Sequence, residues 1–211
     1  MIRLQVGGWL SPAKVADYRD GLPGRDPVLL IPGVYETWQI VRPLADLARA
    51  AGRPVHVITA LGNNVFSVTE SARIVAEYVE ANDLRNVTIL AHSKGGLIGK
   101  YLMLRHDPEG RIQQMAAVST PFSGSRYARF VPVPSIRAFS PRDATTMMLL
   151  ANLEINTRIT SLYGVFDPHI PGGSELAGAT NKKLDVAGHF RILASPLLHT
   201  ELNSILNEAP L

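Results

Sequence analysis

Ser93 stands in the run Ala91-His92-Ser93-Lys94-Gly95-Gly96, with small residues two places before and two places after its hydroxyl. That spacing suits a serine carried on a sharp turn between a strand and a helix, the G-x-S-x-G elbow with alanine in the first position. The turn strains the backbone and brings strand and helix too close for larger side chains. Val87, Ile89 and Leu90 read as a short buried strand before it, and Leu97, Ile98, Tyr101 and Leu102 repeat at helical spacing after it. Five residues alone would fit a glycine-rich turn with an incidental serine. Strand, turn and helix in that order favour a nucleophile.

A serine hydroxyl is a weak nucleophile, so it needs a histidine to accept its proton and a carboxylate to hold that histidine in the productive tautomer. For a serine on such an elbow, the acid and then the histidine follow later in the chain. The segment from Ile159 to Phe166 reads as a strand that breaks into a loop at Asp167, which is the candidate acid. Open α/β sheets gather their chemistry outside the carboxyl ends of the strands, where this aspartate and the elbow would both lie. The stretch from Lys183 to Ala187 reads as a further strand, and Gly188-His189 follows it, which makes His189 the candidate base. His199 is the rival, but it falls inside the pattern of a C-terminal helix.

The remaining titratable residues have plainer readings. His92 is expected to pack or hydrogen-bond beneath the elbow, and His169 to sit in a solvated loop or on the pocket rim. Asp143 opens a helix as a cap, Asp185 lies within a strand, and His56 and His106 have no motif context. A tetrahedral oxyanion needs two main-chain N–H donors, one from the residue after the nucleophile and one from the loop after an earlier strand. Lys94 supplies the first. The run Val28-Leu29-Leu30-Ile31-Pro32-Gly33-Val34, a hydrophobic strand entering a Pro-Gly turn, supplies Val34 as the second.

With these parts in order, the chain resembles the small bacterial triacylglycerol lipases and esterases of the α/β-hydrolase superfamily, from about residue 27 to about residue 207. The elbow Ala91-His92-Ser93-Lys94-Gly95-Gly96 is similar to that of minimal lipases with alanine in place of the first glycine. Ser119-Thr120-Pro121-Phe122, Tyr163-Gly164-Val165-Phe166-Asp167 and Gly188-His189 look like the family's threonine-proline rim, acid loop and histidine loop. The resemblance implies a Ser93, Asp167 and His189 triad with an oxyanion hole at Val34 and Lys94. One departure stands out: such lipases usually carry His-Gly in the oxyanion loop, where this chain has Pro32-Gly33. Proline lacks an N–H and has a fixed φ, so the loop should be stiffer or differently turned.

At 211 residues, 46% of them hydrophobic, the chain has the length for one well-buried domain and no room for a large cap. Alternating strand and helix signals indicate a mostly parallel sheet with helices on both faces, a minimal three-layer αβα form of the α/β-hydrolase fold. Helices are expected over 36–51, 68–81, 95–105, about 142–153 and about 196–207. Ser67-Val68-Thr69-Glu70 has capping-box spacing at the start of the second. Between Thr120 and Arg142, aromatic and aliphatic residues alternate with Pro121, Pro132, Pro134 and Pro141, which forbid a long helix. The segment at about 121–142 is read equally as a short lid or acyl-pocket wall and as a core-packed loop. Its four arginines, Arg126, Arg129, Arg137 and Arg142, would suit contact with an anionic membrane surface.

Composition closes off several classes of chemistry. With no cysteine, thiol catalysis, disulfides and Cys-based zinc sites are excluded. No His-Glu-x-x-His pattern or acidic metal loop appears, and the Gly-Gly pairs lack nucleotide-loop spacing. The net charge of +3 forms no basic stripe with interleaved aromatics, which argues against nucleic acid as a partner. Lys182-Lys183 reads as a solvated turn. The start of the sequence lacks a signal-peptide pattern and no apolar run could span a bilayer, so a cytoplasmic chain is expected; a secreted form stripped of its signal would look the same. The expected function is cofactor-free hydrolysis of small ester or lipid substrates. Acyl transfer or amide cleavage through the same acyl-enzyme stands as an alternative, as does a ligand-binding scaffold without turnover, and the oligomeric state is left open.

Overall fold

Strands β1 (Val28–Ile31), β2 (Val55–Val57), β3 (Val87–His92), β4 (Ile112–Val118), β5 (Ile159–Phe166) and β6 (Thr180–Ala187) form one sheet in the computed structural model, which describes residues 15–125 and 140–207. Their order across the sheet is β2-β1-β3-β4-β5-β6, and every neighbouring pair runs parallel. A parallel sheet must be covered on both faces, so its central strands are apolar on both sides. β1 and β3 are buried along their full lengths.

Alternate residues of these strands feed two separate cores. Leu29, Ile31, Ile89, Ala91, Met115 and Ala117 face helices α2 (Val68–Ala81), α3 (Lys94–Arg105) and α4 (Ala144–Ala151). Val28, Leu30, Leu90, Ala116, Val118 and Leu162 face α1 (Arg42–Ala50) and α5 (Pro196–Asn207). The result is the expected three-layer arrangement. Among the described residues, no helix is long and apolar enough to cross a membrane.

Capping fixes the helix starts that the sequence marked. The Ser67 hydroxyl accepts the Glu70 N–H at 3.1 Å, and the Asp143 carboxylate accepts the N–H groups of Thr145 and Thr146. The helix expected from Glu36 instead begins at Arg42, because Pro43 belongs in a first helical turn and would break a helix already under way. Residues 33–36 are thereby left to a turn with its own task. Lys182 and Lys183 are not in a turn but in the edge strand β6, where Lys182 reaches Glu201 of α5 at 3.3 Å. Charged side chains on an exposed edge discourage pairing with another sheet. Of the 121–142 segment, residues 126–139 lie outside the described residues; before them Phe122 is buried in the core.

Candidate active site

The elbow forms at the junction of β3 and α3. Ser93 sits at φ 52° and ψ −121°, outside the regions favoured by side-chain-bearing residues, and its N–H donates to the Val118 carbonyl at 2.8 Å. Such a conformation costs about 1–3 kcal/mol and persists only where the surroundings impose it. They do so here through close approach. A Cβ on Gly95 would lie 2.2 Å from the Ile31 carbonyl oxygen, and one on Gly96 would lie 2.1 Å from Thr120 Oγ1. Helix α3 is therefore held hard against β1 and the loop that follows β4, with Ser93 at its N-terminal end.

Asp167 directly follows β5, and His189 follows β6 after Gly188, whose N–H donates to the Phe166 carbonyl at 2.8 Å. His189 Nδ1 meets Asp167 Oδ2 at 2.6 Å. The other carboxylate oxygen, Oδ1, accepts the main-chain N–H groups of His169 at 2.8 Å and Ile170 at 3.3 Å. Burial, the largest single effect, would raise the Asp167 carboxyl, but the hydrogen bond and charge of His189 together with the His169 N–H and ring outweigh it and hold the group below its ordinary value. Burial pulls the His189 imidazole below the ordinary histidine value, against the raising effect of that same bond. The His169 ring lies 4.7 Å from that of His189, so this residue shapes the site through its backbone and its ring. His199, by contrast, is in α5 with Nε2 on the Leu193 carbonyl at 2.9 Å.

The turn after β1 holds Val34 between buried Gly33 and exposed Tyr35, which has φ 58°. The Gly33 N–H is taken by Glu36 Oε2 at 2.7 Å, which leaves Val34 as the next main-chain donor of the turn. Lys94 begins α3, so its N–H lies at the positive end of the helix dipole. Its side chain is buried, with Nζ donating to the main-chain carbonyls of Asn64 (2.8 Å) and Phe66, and burial pulls the ammonium down to about 8. Asn64 passes the connection on, its Nδ2 donating to the Pro32 carbonyl at 2.7 Å.

Sequence reading missed Glu36, Asn64 and the extent of His92's connections. Glu36 is buried, with its carboxylate 2.9 Å from His92 Nδ1. One signal was available: Glu36 is the only charged residue between Pro27 and Val41. The groups Glu36, His92, His189 and Asp167, His169, His189 each bring ligand-type atoms within 4.8 Å of one another, and imidazole–carboxylate hydrogen bonds already account for both approaches. A groove of about 340 Å³ opens beside Asp167, lined by Tyr163, Phe166, Ile170 and Glu175 among others. Aromatic side chains stand exposed at the same end of the sheet, Phe166 at 63% and Phe66 at 43%.

No protein-family description and no curated protein matches the chain in sequence. Solved structures match in fold. A mature lipase of Bacillus licheniformis superposes with a TM-score of 0.66 at 15% identity, over 88% of this chain and 94% of that one. A monoacylglycerol lipase of Paleococcus ferrophilus gives 0.64 at 16%, over 89% and 95%. An extracellular alpha/beta-hydrolase of a Paenibacillus species gives 0.52 at 17%, over 86% and 96%. At these identities the likeness speaks for architecture, and together with the six-stranded parallel sheet it establishes that this chain has the α/β-hydrolase fold.

Proposed function

We propose that the chain is a serine hydrolase that cleaves carboxylic esters. The observation that carries this reading is the 2.6 Å hydrogen bond between Asp167 and His189, made by the loop that also touches the strand leading into the Ser93 turn. With its Nδ1 proton directed to Asp167, a neutral His189 offers Nε2 as a base. It would take the proton of Ser93 as Oγ attacks the ester carbonyl. The N–H groups of Lys94 and Val34 would hold the oxyanion, at the positive end of α3 and in the stiffened turn. His189 would then pass its proton to the departing alcohol, and a water activated by the same histidine would release the acid from Ser93. No step requires a cofactor. The names of the structural neighbours, lipases among them, support an ester or lipid as the substrate class. With no large cap among the described residues to narrow the approach, short- and medium-chain esters are the expected substrates.

Turnover of p-nitrophenyl esters of increasing acyl length tests the reading. Ser93→Ala and His189→Ala should each lower kcat by at least about 10³-fold, while His199→Ala keeps it. A Ser93→Ala variant that matches the parent on every ester would sink the proposal. Predominant transfer of the acyl group to an added alcohol or amine would redirect it to acyl transfer.

A further inference from the structure

Three separate loops meet at two buried side chains that the proposed mechanism does not use. The Glu36 carboxylate, in the turn after β1, accepts the Gly33 N–H at 2.7 Å and lies 2.9 Å from His92 Nδ1. His92, the last residue of β3 and the neighbour of Ser93, directs Nε2 to the main-chain carbonyl of His189 at 3.1 Å. A carbonyl can only accept, so Nε2 carries a proton; Nδ1 shares a second proton with the Glu36 carboxylate. The chain Gly33, Glu36, His92, His189 thus runs without a break from the turn that holds Val34 to the loop that holds the base.

We propose that Glu36 and His92 are a positioning couple, a buried carboxylate–imidazole pair that sets the oxyanion turn and the histidine loop against the Ser93 elbow as one unit. The role in turnover rests on the hydrolase reading; the coupling itself does not. The position of the pair gives it an electrostatic effect as well. The His92 and His189 rings lie 4.8 Å apart, so the extra proton that Glu36 holds on His92 opposes a proton on the base. Among the described residues, the titratable groups facing His92 are Glu36 from the β1 turn, His189 from the β6 loop and, farther off, Asp167 beyond β5; those facing His189 are Asp167, His169 and His92. Burial would lower the His92 imidazole, but Glu36 and the His189 carbonyl reverse this and raise it above its ordinary value.

Replacing Glu36 separates charge from shape. Glu36→Gln keeps an acceptor for the Gly33 N–H but releases the second proton of His92, so the charge beside His189 disappears and the base becomes easier to protonate. Glu36→Ala loses the acceptor too. Nitrogen-15 titration of the histidine rings reads this without any substrate. In the parent, His92 should keep both ring protons at neutral pH, and in Glu36→Gln the His189 midpoint should move upward. In ester assays the acid limb of kcat/KM should move upward with it. Glu36→Ala should lower kcat a further tenfold or more below Glu36→Gln, with KM little changed. A parent His92 that carries one ring proton at neutral pH, which needs no variant to observe, would overturn the proposal. So would a His189 midpoint identical in the parent and Glu36→Gln. A parent with the expected titration but no ester turnover would leave the couple standing and remove the hydrolase reading instead.

Discussion

His189 can act as a base only when neutral, and two features of its surroundings keep it so. Burial disfavours its charged form, and the proton-holding His92 ring faces it at 4.8 Å. Asp167 pulls the other way through the 2.6 Å bond, yet the net direction is downward. The sign for activity follows directly: as pH falls, the base should remain neutral below the ordinary histidine value of about 6.5, and the acid limb of kcat/KM should lie beneath it. A pH profile of the parent on a single ester checks this. Asp167→Asn would leave the ring in place but let it adopt the wrong tautomer, with an expected loss of about 10⁴-fold in kcat. An acid limb clearly above the ordinary value would mean that a group other than His189 is the base.

Among the elements, the loop between β2 and α2 acts as a latch on the site. Asn64 has φ 51°, donates to Pro32, accepts from Ser71 and sits under the Lys94 ammonium. Asn64→Ala removes these bonds and leaves a side chain less tolerant of positive φ. The expected cost is about 2–3 kcal/mol in urea unfolding, with kcat reduced as the Pro32 turn loosens. That latch also marks where the sequence ceased to be legible. The candidates Ser93, Asp167 and His189 stand out in the sequence because each lies within two residues of a strand's end, and Ser67 and Asp143 because a cap acts within three residues. Helix α1 starts later than the apolar pattern through Trp38 and Ile40 suggests, because Pro43 fits only a first helical turn. Strand β2, at three residues, is too short for any periodicity. The partnership of Glu36 with His92 spans 56 positions and exists only once β1 and β3 are paired. Local pattern marks Glu36 as a lone charge in an apolar run but carries no trace of its partner.

For the molecule as a whole, Arg53 is the corresponding clasp. Buried in the connection that leads into β2, it donates to the Asp26 carbonyl at 2.8 Å, the Thr88 hydroxyl at 3.2 Å and the Leu206 carbonyl at 3.4 Å. It therefore joins the chain ahead of β1, the central strand β3 and the end of α5. Arg53→Ala should lose about 2 kcal/mol, or roughly 4–8 °C in Tm for a domain of this size, by calorimetry. Ester turnover at low temperature should survive.

The parallel order of the sheet also gives the site a history. Its parts arrive from β1, β3, β5 and β6 in turn, so the serine leaves the ribosome almost a hundred residues before the histidine that would activate it. At about 5–20 residues per second, synthesis separates the two by roughly 5–20 s. Through that interval a growing chain presents a hydroxyl with no base and a Glu36–His92 pair with no carbonyl to hold. With the proposed triad, docking of β6 would both complete the sheet of the described residues and begin reactivity, and a nascent or truncated chain ending short of β6 would be chemically silent.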